Sequence, residues 1–109
     1  LTDNRLSRAD RSALMRETRH ASILAAAIEE AEAVGFANIR RRKVAARAGV
    51  ANGSINHAFG TLDALKDAVM AEAIAGEILP IVAQGLAAGH ALAHGAPPEL
   101  RKAAAGALA

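Results

Sequence analysis

Apolar residues recur every three or four positions over 18–34, where Leu24, Ala27, Ile28, Ala31 and Val34 share one helical face and Glu29, Glu30 and Glu32 lie largely off it. Gly35 supplies a left-handed stop, and Phe36 is placed to fold back on that face. The same rhythm predicts a second helix over 40–48, with Val44, Ala45 and Ala48 inward and Arg41, Arg42 and Arg47 mostly outward, ended by Gly49. A very short helix over 52–58 follows, anchored by Ile55 and Phe59 and broken by Gly60. Thr61 caps the next helix, whose first-turn Asp63 complements the helix dipole. Leu65, Ala68, Val69 and Ala73 carry it to about Leu79, where Pro80 predicts an end or a kink. An almost wholly apolar segment spans 81–94, a turn spans 95–98, and Pro98-Glu99 opens a last helix to about Leu108. At the other end, residues 3–16 place Arg5, Arg8 and Arg11 at helical spacing, and Ser7-Arg8-Ala9-Asp10 fits a capping box. This is read as a basic, partly helical arm. No segment alternates as a strand does, and the expected fold class is all-α.

Composition supports that reading. The chain has 109 residues, enough for one modest core, and 52% are hydrophobic while 2% are aromatic. The core must therefore be built from Ala, Leu, Ile and Val, which favours closely packed helices. The absence of cysteine excludes disulfides, thiolate metal sites and a cysteine nucleophile. No apolar run approaches a membrane span, and the expected address is cytoplasmic.

Net charge is only +2, but it is unevenly placed. Between Ala33 and Leu62 stand Arg40, Arg41, Arg42, Lys43 and Arg47 with no acid among them, whereas acids lead beyond Leu62. Such a window points to one face that seeks anions. Beside it, "GVANGSINHAFG" (49–60) concentrates hydrogen-bonding side chains on an apolar-backed turn. Two short helices joined at Gly49 and supported by a preceding helix form a helix-turn-helix pattern. In that arrangement Asn52, Gly53, Ser54, Asn56 and His57 are the candidates to meet DNA. Asparagine can pair bidentately with adenine, serine donates or accepts, and Gly53 admits close backbone approach. Arg40, Arg41, Arg42, Lys43 and Arg47 are assigned to phosphates. The bland alternative, in which the asparagines and glycine merely cap and turn a short helix, stands beside this one.

Other chemistry is weak. His90 and His94 have the i, i+4 spacing of metal ligands, yet two imidazoles supply half a tetrahedral shell, so no metal or other cofactor is expected. Ser54 has no adjacent base and no glycine-rich phosphate loop follows a strand, so no enzyme is expected.

Three stretches, "ILAAAIEEAEAVGF" (23–36), "VAARAGVANGSI" (44–55) and "FGTLDALKDAV" (59–69), resemble in order and spacing the DNA-binding region of TetR-family regulators. The resemblance covers about residues 20–70. It implies a three-helix DNA-binding unit over 18–61, preceded by the arm over 1–17 and followed over 62–109 by a helical region. The departures are specific. Asn56 stands where the family has a recognition-helix tyrosine, Leu62 where it has a lysine, Arg40 in place of a threonine cap and Ala51 in place of a serine cap. Relatives typically continue for about another hundred residues that enclose a ligand, whereas about 40 follow the resemblance here. No small-molecule effector is therefore expected. The apolar tail is expected to pair two copies through Ile74, Ile78, Leu79, Val82 and Leu86. The resulting expectation is a homodimeric repressor on an inverted-repeat operator in double-stranded DNA. The alternative is a helix-turn-helix protein-interaction module, such as an antirepressor or phage accessory factor.

Overall fold

Ser7 begins the first helix. Its side chain accepts from the Asp10 amide at 3.0 Å, and the Asp10 carboxylate accepts from the Ser7 amide at 3.3 Å, so the capping box read from the sequence is formed. The computed structural model describes residues 7–107; Arg5 of the arm and Leu108 of the tail lie outside them. Helix α1 runs Arg8–Val34 without interruption. The arm and the helix expected from 18 are thus one element. With a cap at Ser7 and no Gly or Pro before Gly35, nothing in the backbone stops it. Residues 8–22 are exposed apart from half-buried Ala13, so the first four turns lie outside the buried core.

The buried face of α1 is Ile23, Ala26, Ala27, Glu30 and Ala31. That face is rotated from the expected one: Leu24 and Ile28 sit at its margin, and Val34 is 44% exposed. Small Ala26 and Ala27 let neighbouring helices approach closely, which matters more here than the size of Leu24. Gly35 (φ 97°) turns the chain into a 3₁₀ turn, Phe36–Asn38, and Phe36 folds into the core.

Helices α2 (Arg41–Ala48), α3 (Asn52–Phe59) and α4 (Leu62–Ala75) follow, and all three pack against α1. Val44, Ile55, Leu65, Val69 and Met70 meet Ile23 and Phe36 in one core. Thr61 caps α4 as expected, accepting from the Ala64 amide at 3.0 Å. α4 ends at Ala75, four residues before the expected Leu79. There Ile78 N–H bonds to Ala73 and Glu77 N–H to Ile74, a Schellman turn with Glu77 (φ 53°) in the left-handed seat. Pro80 therefore lies in the first turn of the next helix and does not end the previous one.

The tail forms α5 (Leu79–Ala87), α6 (Ala91–His94) and α7 (Pro98–Ala107). α5 is sandwiched between α4 and α7, with Ile81, Val82 and Ala83 enclosed. The side-chain oxygen of Gln84 accepts from the Phe36 amide and so ties α5 to the start of the 3₁₀ turn. Gly85 marks the tightest contact. A Cβ there would lie 2.3 Å from Cε of Met70 and 2.9 Å from Cβ of Ala93. Among the described residues there are seven α-helices and no strand, and no helix is long and apolar enough to cross a membrane.

Candidate nucleic-acid interface

The connection between α2 and α3 is a second Schellman turn. Val50 N–H bonds to Ala45 at 3.0 Å and Gly49 N–H to Ala46 at 3.3 Å, with Gly49 at φ 70°. A side chain at Gly49 would meet nothing within 4 Å, so the left-handed backbone, not space, requires glycine. The turn delivers half-buried Val50 to the core and starts α3 two residues later.

α3 hangs from Ile55, which is 1% exposed, and from half-buried Ala58 and Phe59. Asn52, Gly53, Asn56 and His57 are exposed, whereas Ser54 is half-buried on the flank. Gly53 and His57, one turn apart, lie opposite the Ile55–Phe59 edge and form the centre of the outward face. No side chain caps the first turn of α3, where Ala51 occupies the cap position.

The basic residues of α2 divide. Arg40, Arg42 and Lys43 are exposed and line a shared cleft at the start of the helix. Arg41 is half-buried, and its Nε is enclosed without a hydrogen-bond partner among the described residues. Arg47 does something the sequence did not reveal. Its Nε donates to Oε1 of Glu30 at 3.0 Å, and Glu30 is buried, so this ion pair clamps α2 onto α1. Among the described residues, the five cations expected on phosphates are thus three exposed ones without an ion-pair partner, one partly sequestered and one paired with a buried carboxylate.

His20 also gains a place. Its ring stacks on Phe59 with centroids 4.1 Å apart, at the crossing of α1 and α3. Arg16, Arg19, His20, His57 and Ala58 line one cleft of about 180 Å³ at that crossing. Residues 37 positions apart have no common periodicity, and only the fold joins them.

His90 and His94 are engaged in local structure. His90 Nδ1 accepts from the Leu92 amide at 3.1 Å and caps α6, while its Nε2 lies 2.8 Å from Oδ1 of Asp67. Both contacts are met by the neutral ring with its proton on Nε2. His94 Nε2 lies 3.0 Å from the Leu86 carbonyl.

In the tail, Val82 is fully enclosed within the subunit's own core, which corrects its expected place at a two-fold contact. α7 covers α5, so the apolar excess read from the sequence is largely consumed internally. Ile74, Ile78, Leu79 and Leu86 are half-buried against the same core.

Compared with known proteins, residues 23–69, a little under half of the chain, match the family described as bacterial regulatory proteins, tetR family. The matched segment runs from Ile23 on α1 through α2 and α3 to Val69 on α4. No curated protein and no solved structure matches the chain.

Proposed function

We propose that a chain whose residues 23–69 are the helix-turn-helix region of a TetR-family regulator acts as a dimeric repressor, laying α3 into the major groove of an inverted-repeat operator. One observation carries this reading. α3 turns Asn52, Gly53, Asn56 and His57 away from its Ile55 anchor, and Arg40, Arg42 and Lys43 stand exposed on the helix before it. Amide side chains at the front of such a helix read base edges, and the flanking cations hold phosphates.

Two copies pair through the outer sides of α4 and α5, where Ile74, Ile78, Leu79 and Leu86 retain exposed surface. Half-sites then lie about one helical turn apart. Regulation proceeds without an enclosed small-molecule effector. The contact at Gly85, too close for a single methyl group, supports this reading, since α5 packs there directly on Met70 of α4 and Ala93 of α6.

The test is selection of bound duplexes from a random pool. The reading expects an inverted repeat to be enriched, with affinity falling as salt rises. A second reading rests on Leu62, half-buried at the start of α4 where the resemblance leads one to expect a lysine. A helix-turn-helix without that cation suits a protein partner. Failure to enrich any sequence at low salt would favour it and overturn the repressor.

A further inference from the structure

We propose that Asn52 is a self-modifying position: the Gly53 backbone nitrogen expels the Asn52 side-chain amide, and the carboxylate left behind releases α3 from DNA. The chemical step stands on the local geometry alone, whereas the release rests on α3 reading base edges.

Asn52-Gly53 is the one Asn-Gly pair in the sequence. In such a pair the glycine nitrogen carries no neighbouring side chain to crowd its approach to the amide carbon one residue back. Both residues are exposed, and a Cβ at Gly53 would meet nothing within 4 Å, so a closing ring has room. Closure requires the Asn52 backbone to turn out of its helical conformation, so the rate depends on how firmly the start of α3 is held. It is held weakly. Ala51 supplies no side-chain cap, and glycine in the first turn is a poor helix former. Among the described residues the Gly53 N–H has no hydrogen-bond partner, so the attacking nitrogen is not tied into the helical ladder.

Asn38 and Asn56 differ on each point. Asn38 donates from Nδ2 to the Val34 carbonyl at 2.8 Å and precedes Ile39, which is buried and β-branched. Asn56 precedes His57 well inside α3. The susceptible amide and the exposed front of the recognition helix thus coincide at one residue.

The step balances with water as the only co-reactant. Gly53 N bonds to Asn52 Cγ, the Cγ–Nδ2 bond breaks, and the side-chain nitrogen leaves as ammonia with the proton given up by Gly53. Water then opens the five-membered imide. Attack at Cγ breaks its new bond to nitrogen and leaves an aspartyl residue. Attack at the main-chain carbonyl breaks the original peptide bond and leaves an isoaspartyl one. Either product replaces an amide that both donates and accepts by a carboxylate that only accepts, so the paired contact to adenine is lost and a negative charge faces the phosphates. The helix dipole favours a carboxylate in the first turn, so the fold is kept while the contact goes. A regulator built this way needs no effector, because its hold on DNA lapses with the age of each molecule.

The experiment ages the full chain in mildly alkaline buffer, native and in urea, and follows positions 38, 52 and 56 by peptide mapping. In the native chain Asn52 is expected to convert well ahead of Asn38 and Asn56. Gly53→Ala places a good helix former where space is open and should hold Asn52 to the rate of Asn56. Native conversion at Asn52 no faster than at Asn56, or conversion in urea alone, would overturn the inference. Converted chains, separated from fresh ones by charge, are then titrated against a selected duplex and its scrambled counterpart. Converted chains and Asn52→Asp should each lose about tenfold or more of the fresh chain's preference. Full preference in converted chains would also overturn the inference, since the change would then do nothing at the operator. Fresh chains that prefer neither duplex would bring down the functional reading and the release with it, a failure that the rate at position 52 keeps distinct from failure of the chemistry.

Discussion

Glu30 and Arg47 are unequally placed, with side chains 4% and 38% exposed. Deprived of its partner, Arg47 can turn to water, but Glu30 is left as a buried, uncompensated carboxylate. Arg47→Met is therefore expected to lose about 3 kcal/mol in urea unfolding, and Glu30→Met about 1 kcal/mol. The double variant should be more stable than Arg47→Met alone. Equal losses for the two single variants would show that the clamp between α1 and α2 acts some other way. None of this was legible in the sequence. Helical spacing puts Glu30 beside other acids, where a solvated face is the ordinary outcome, and its partner lies 17 residues away on another helix. His20 and Phe59 escape notice for the same reason. By contrast, the role of Ile55 was legible, because an isolated β-branched residue among polar ones on a short helix has only one place to go. The outward positions Asn52, Gly53, Asn56 and His57 followed from it.

At the scale of elements, local signals served where a specific backbone interaction ends a helix. The Ser7 box, Gly49 and the Thr61 cap each satisfy named amides or carbonyls, and each lies where the sequence places it. They failed where the turn residue is atypical. α4 ends with Glu77 in the left-handed seat that Gly49 fills after α2, so Pro80 drew the expected boundary too far along. Glu77→Gly should relieve that backbone, raising stability by up to about 1 kcal/mol after the added chain entropy of glycine. Unchanged or lowered stability in urea titration would mean the turn is held by other contacts. Gly85 tests the packing of α5. Gly85→Ala drives a methyl into Met70 and Ala93, neither of which has solvent to move into, and should cost about 1–3 kcal/mol. Helix propensity alone would make the same change stabilising by about 1 kcal/mol, so the sign of the effect decides between them.

For the whole molecule, α1 sets the shape. The chain measures 55 × 33 × 20 Å with a radius of gyration of 16.1 Å, against about 13 Å for a compact domain of roughly 100 residues. The excess follows from α1, about 40 Å long in all. The tail behaves in the opposite way, closing over α5 and enclosing Val82, which was expected to face a partner copy. Any two-fold contact must use what is left outside, and Ile74→Arg/Leu86→Arg should convert a dimer to a monomer in sedimentation velocity. An unchanged mass would move the contact elsewhere.

The central claim is that α3 reads base edges, and discrimination between duplexes tests it most directly. The parent chain and Asn52→Ala/Asn56→Ala should be titrated against a selected duplex and its scrambled counterpart at one salt concentration. The account predicts that the parent prefers the selected duplex, and that the variant loses about 1–3 kcal/mol of that preference for each base contact removed while its affinity for scrambled DNA is unchanged. A variant that discriminates as well as the parent would contradict it.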